Sequence, residues 1–153
     1  MLTLGVTILY VEDDEGDQFF MQLAFRAAGL DSALKIVSDG AAAIDYLSGA
    51  GKYCDRTQHP APQLVLLDLK LPHIPGFEVL QWIRSQASLA TLPVIIFSSS
   101  VYEEDRGKAK ALGANDFWTK PNSGLQFDAT VAALRQTWFP RLAAPAAACE
   151  GSA

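Results

Sequence analysis

Five polar side chains stand at the ends of short β-like runs. Glu12 and Asp13 follow Val6 to Val11, Asp68 follows Leu64 to Leu67, Ser98 follows Val94 to Phe97, and Lys120 follows Asn115 to Thr119. If each run is a strand of a parallel sheet, its carboxyl end is where a ligand binds. Three carboxylates, one hydroxyl and one amine would then meet at one edge. Crowded carboxylates repel and take up protons unless a cation joins them, and hard oxygen ligands suit Mg²⁺ or Mn²⁺. With such an ion in place, Asp68 can act as a nucleophile toward a phosphoryl group while Lys120 and the Ser98 hydroxyl hold the remaining oxygens. The chemistry expected is formation of an aspartyl phosphate.

The elements needed to position these residues are legible as five β-α repeats, which predict a parallel sheet covered by helices on both faces. After the strand Val6 to Val11, the residues Phe20, Leu23, Ala24 and Ala27 recur at helical spacing and Gly29 stops the helix. Leu34 to Val37 is a second strand and Gly40 to Leu47 a short helix. Ser48 to Pro62 is a polar connection of unusual length. Leu64 to Leu67 is apolar at every position, as in a strand buried on both faces. Helices are expected over Phe77 to Gln86 and Glu103 to Leu112, the latter with acids first and Lys108 and Lys110 last. A final helix from Leu125 to Trp138 places Phe127, Val131, Leu134 and Trp138 on one stripe.

Composition fits this architecture. The 153 residues are 50% hydrophobic and 19% charged, which suits one self-folding domain over residues 1–140, with an Ala-rich tail over 141–153 expected to be unstructured. No apolar stretch approaches the ~20 residues of a membrane crossing, and Met1 to Leu4 has no basic segment of a secretion signal. A cytoplasmic protein with free thiols at Cys54 and Cys149 is expected. The net charge of −5, with scattered Lys and Arg, offers no footprint for nucleic acid.

These motifs, taken together over residues 6 to 138, resemble the receiver domain of two-component response regulators. They are Glu12-Asp13, Leu66-Leu67-Asp68-Leu69-Lys70-Leu71-Pro72 followed by Gly76, Ser98-Ser99, and Lys120-Pro121. The resemblance implies a flavodoxin-like (βα)5 fold with strand order 2-1-3-4-5. It makes Asp68 the phosphoacceptor and makes Asp13, Glu12, Asp68 and the Lys70 carbonyl the metal site. Ser98 becomes the switch hydroxyl, Lys120 the phosphate-binding amine before a cis Pro121, and Phe117 the aromatic whose rotamer follows Ser98. Small size at Ser99 leaves the phosphoryl group open, and Lys70 and Ser100 border the path of water attack and would tune dephosphorylation. The long connection before the third strand and the Phe/Trp-containing last helix are most similar to phytochrome-associated single-domain response regulators. That implies a sensor histidine kinase as partner, a bacterial phytochrome, no output domain, and no enzymatic activity beyond the protein's own phosphorylation and dephosphorylation.

Other readings compete at particular residues. Asp14, Glu15 and Asp17 fall where the first helix starts, and its dipole accounts for them without a ligand. His59 and His73 lie in loops beside prolines and read as structural or solvated. Trp138 and Phe139 fit either the core or a homodimer surface formed by the fourth helix, fifth strand and fifth helix. An Asp-dependent phosphatase of the haloacid-dehalogenase type needs a second Asp two residues on, where Lys70 stands. A receiver fold that only docks would lose Asp68, Lys120 or the acidic pair, and all are present.

Overall fold

Short apolar runs become strands here because each is long enough to cross the core once and is bounded by polar or turn residues. The computed structural model describes residues 5–142. Its strands are β1 (Ile8–Val11), β2 (Leu34–Val37), β3 (Leu64–Leu67), β4 (Val94–Ser98) and β5 (Asp116–Thr119). They form one parallel sheet in the order β2-β1-β3-β4-β5. The helices are α1 (Glu15–Ala27), α2 (Gly40–Ser48), α3 (Gly76–Ser85), α4 (Glu103–Ala111) and α5 (Phe127–Ala133), the last running on through a π-helical stretch, Leu134–Trp138. Among the described residues no helix is long and apolar enough to cross a membrane.

The three inner strands are buried at every position, whereas β5 alternates as an edge strand does. Alternate side chains feed two separate cores. Ile8, Tyr10, Leu64, Leu66, Ile95 and Phe97 pack under α1 and α5. Leu9, Val11, Val65, Leu67, Val94 and Ile96 pack under α2, α3 and α4. The apolar stripe expected of α5 is buried throughout, Trp138 included. Of α4 only Ala109 is buried.

The stripe of α1 differs from expectation: Met21, Ala24 and Phe25 face the core, while Leu23 and Ala27 are exposed. Ala24 belongs to both stripes, and Met21 with Phe25 removes more apolar area from water than Leu23 with Ala27. The last helix continues through residue 142, into the segment expected to be the tail; residues 143–153, Cys149 among them, lie outside the described residues.

The long connection before β3 is built on the end of α2. Gly49 takes a left-handed conformation (φ 72°) that closes the helix. Arg56 then donates to the carbonyls of Tyr46 (2.8 Å), Leu47 (3.1 Å) and His59 (3.1 Å). Tyr53 packs against Tyr46 and His59 with ring centroids 5.0 and 5.1 Å apart, and the Tyr46 hydroxyl donates to the Pro60 carbonyl. His59 is therefore structural, as expected.

Candidate functional site

Backbone pairing delivers the polar residues to one edge before any side chain acts. Glu12 N donates to the Val37 carbonyl, Asp68 N to the Val11 carbonyl at 3.2 Å, and Lys120 N to the Ser98 carbonyl at 2.8 Å. Each residue is thus the first past its strand and is tied to the neighbouring strand. The expected cis bond before Pro121 is absent: among the described residues every peptide bond is trans. Trans is the lower-energy isomer by about 0.5–1 kcal/mol even before proline, and Pro121 lies beyond the Lys120–Ser98 bond, where strand pairing does not demand the other isomer.

Lys120 is the centre of the cluster. Its Nζ lies 2.6 Å from Glu12 Oε1, 3.1 Å from Asp68 Oδ2 and 2.9 Å from Asp17 Oδ2. Burial lowers its proton affinity, but hydrogen bonds to Glu12 and Asp17 and the charge of Asp68 outweigh this, so the amine is raised above its ordinary value and stays charged. Glu12 is 1% exposed and Asp68 5%. Burial, with the nearby Asp68 charge, lifts the Glu12 carboxyl to about 7 in spite of the lysine. Beneath it the buried Tyr10 hydroxyl donates to Glu12 Oε1 (3.1 Å), and the Asp14 N–H donates to Oε2 (3.1 Å). Both oxygens of Glu12 are therefore engaged. Asp13 is exposed, and one oxygen each from Glu12, Asp13 and Asp68 lies within 4.8 Å of the others. Three hard oxygen donors at that spacing fit a divalent cation that keeps several waters.

The loop after β3 folds back over the phosphoacceptor candidate. The Lys70 N–H lies 3.5 Å from Asp68 Oδ1, and the Lys70 side chain points to solvent. His73 adopts φ 67°, and Gly76 N donates to the Leu69 carbonyl at 3.0 Å. A Cβ on Gly76 would stand 2.2 Å from the Asp68 carbonyl oxygen, so only glycine lets α3 start this close to the site.

At the end of β4, Ser98 is fully buried and its Oγ accepts from the Ser100 N–H at 3.2 Å. Ser99 is exposed. Ser100 is buried, and its hydroxyl donates to Asp105 Oδ2 at 2.5 Å. Phe117 is 8% exposed, its ring turned toward the core. Arg106 of α4 covers that ring at 4.6 Å and donates to the Phe117 carbonyl and Thr119 Oγ1. Trp118 faces the opposite core and donates through Nε1 to Asp116.

The reading of three acids by helix dipole holds for Asp14, which caps α1 by accepting from Asp17 N at 2.8 Å. It misses Asp17, whose side chain belongs to the lysine cluster. No spacing shows this until the start of α1 is known, because Asp13 lies before the helix and Asp17 in its first turn. Tyr10 carried no comparable signal, because a strand residue two before Glu12 reads only as core.

The comparisons agree with this geometry. Residues 8–132 match the family described as response regulator receiver domain. The response regulator Rcp1 of Synechocystis is 33% identical over 140 residues, covering 92% of this chain and 93% of that protein. The crystal structure of its Mn²⁺-bound form superposes with a TM-score of 0.77 at 32% identity, covering 88% of this chain and 94% of that one. The phosphorylated cyanobacterial phytochrome response regulator RcpA gives 0.79 at 32% identity, covering 87% and 93%. A flavodoxin-like sheet in the order 2-1-3-4-5, an acidic pocket at its carboxyl edge and these matches place the chain in the response regulator receiver domain family.

Proposed function

We propose that this receiver takes a phosphoryl group on Asp68 from a phosphohistidine of a sensor histidine kinase, a bacterial phytochrome, and relays the signal by a change of shape. The observation that carries this is Lys120 Nζ, 3.1 Å from Asp68 Oδ2 and 2.6 Å from Glu12, beside the exposed Asp13. In the transfer the donor's P–N bond breaks and an O–P bond to Asp68 forms. Asp13, Asp68 and the Lys70 carbonyl, with Glu12 behind them, would hold a Mg²⁺ or Mn²⁺ ion, which would supply positive charge near the phosphoryl oxygens. Lys120 neutralises the carboxylate and holds one phosphoryl oxygen, and the Ser98 hydroxyl turns from the Ser100 N–H to another.

Movement of Ser98 is coupled to Phe117, whose buried rotamer is held by Arg106, so the α4–β5 face reports the state of Asp68. Exposed Ser99 leaves the group open to donor and water, while Lys70 and Ser100 set the rate of hydrolysis. A homodimer through α4, β5 and α5 is the form in which that face is read. The kinase assignment rests on the likeness to Rcp1 and RcpA. The charge of −5 argues against nucleic acid as partner, and a cytoplasmic location suits the exchange with a kinase.

Incubation with Mg²⁺ and acetyl phosphate, followed by intact mass spectrometry, tests the chemistry. One added phosphoryl mass on the wild type, absent from Asp68→Asn, is expected. If neither that mass nor beryllofluoride binding is seen, the chain is a docking module. Transfer from purified phytochrome kinases, compared with unrelated kinases, tests the partner.

A further inference from the structure

An ammonium group has three N–H donors. Lys120 donates to Asp17 Oδ2 (2.9 Å) and Asp68 Oδ2 (3.1 Å) and is ion-paired with Glu12 Oε1 at 2.6 Å, so its ammonium is shared among three carboxylates. A phosphoryl oxygen arriving on Asp68 therefore has to compete with these carboxylates for the ammonium. Glu12 is buried and fixed from behind by Tyr10 and from the side by the Asp14 N–H. Its release would strand a charge away from water, which is costly. Asp68 passes its charge to the phosphoryl group on transfer, which leaves Glu12 and Asp17 as the carboxylates that still compete for the lysine. The Asp17 side chain is 28% exposed, so water can replace the ammonium there at least cost.

We propose that Asp17 is a positioning residue that holds Lys120 in the resting protein and competes with the phosphoryl group for it. This rests on the reading of Asp68 as phosphoacceptor. Two consequences follow from one contact. Asp17 slows uptake from anionic donors, by occupying the lysine and by adding negative charge beside the path of the donor. It also ties the first turn of α1 to the site, and that tie opens when Lys120 moves to the phosphoryl oxygen. The first turn of α1 is continuous with the exposed Phe19, so this helix start has one set of restraints in the resting state and another after transfer.

The test compares wild type, Asp17→Asn, Asp17→Ser and Glu15→Gln. Glu15 is exposed in the same helical turn and removes the same charge without touching Lys120. At saturating Mg²⁺, uptake from acetyl phosphate is expected to be about five-fold faster in both Asp17 variants, and half-saturation with beryllofluoride about five-fold lower, the worth of a partly exposed ion pair. Glu15→Gln should follow the wild type. In the metal-free protein the ¹⁵N resonance of the Lys120 ammonium should move in the Asp17 variants and stay in Glu15→Gln. Equal or slower uptake in the Asp17 variants, equal acceleration in Glu15→Gln, or an unmoved ammonium resonance overturns the proposal. A wild type that takes up no phosphoryl group overturns the function proposed above and this inference with it, whereas uptake by the wild type with no gain in Asp17→Asn overturns this inference alone.

Discussion

Gly76→Ala and Gly107→Ala make the same chemical change in two helices, and the structure predicts opposite signs. Alanine is favoured over glycine by about 1 kcal/mol inside a helix, so propensity alone predicts a gain at both. Around Gly107 no atom lies within 4 Å of an added Cβ, and the gain should appear. At Gly76 the Cβ would meet the Asp68 carbonyl oxygen at 2.2 Å and the Leu69 Cα at 2.8 Å, both backbone atoms. Relief needs a shift of about 1 Å in the segment that carries Asp68. Overpacking against rigid surroundings costs up to about 3 kcal/mol, which leaves a net loss of about 2 kcal/mol after the propensity gain. At about 2–4 °C per kcal/mol for a chain of this size, thermal melting should fall by about 4–8 °C in Gly76→Ala and rise by about 2–4 °C in Gly107→Ala. Because a 1 Å misplacement of a reacting group can cost about 10²-fold, phosphoryl uptake by Gly76→Ala should drop by a similar factor. A Gly76→Ala protein that melts at or above the wild-type temperature with unchanged uptake would refute the steric argument.

Two further outcomes follow from the charges. In the metal-free protein the Glu12 carboxyl should titrate near about 7 by carbon-13 NMR, against an ordinary value of 4.5, because burial favours its neutral form. The folded chain then holds this proton more tightly than the unfolded chain. Its stabilising contribution is complete below about 4.5 and is lost as pH rises through about 7. Mg²⁺ affinity, which needs the ionised site, should weaken below that pH, and a midpoint near 4.5 would contradict the assignment. Arg84 donates to the carbonyls of Gly113 and Leu89 and to Asn115 Oδ1, which also accepts from Val94 N. Arg84→Ala should lower stability by about 2 kcal/mol in urea unfolding at unchanged slope.

The sheet and the residues at its edge were legible because each depends on a local pattern: an apolar run, then a polar side chain. Asp68, Glu12, Asp13, Ser98 and Lys120 stand where that pattern puts them. The rotation of α1 was less legible, since Leu23 and Phe25 are equally apolar in a string of letters and only the competition for core volume separates them. Asp17 and Tyr10 entered the cluster through contacts across 103 and 2 positions that no spacing announces unless the helix start is already known. The trans bond before Pro121 departs from what the family resemblance implied.

A helix that buries one alanine has little to lose by lifting from its sheet. α4 is attached by Arg106 on Phe117 and Thr119, by Lys108 over the Phe77 ring at 4.6 Å, and by Ser100 on Asp105. The Arg106 bond to Thr119 is exposed and the Ser100 bond only part-buried, so water can take over part of this attachment. Its charges support the helix locally: acids occupy its first turn and lysines its last, in the sense the helix dipole favours. Amide protons of α4 should therefore exchange through a local opening far easier than global unfolding, while those of β3 and β4 wait for the whole molecule to open. The cover over Phe117 is thus held by few buried contacts, and a modest differential affinity of a ligand for two positions of α4 is enough to move it.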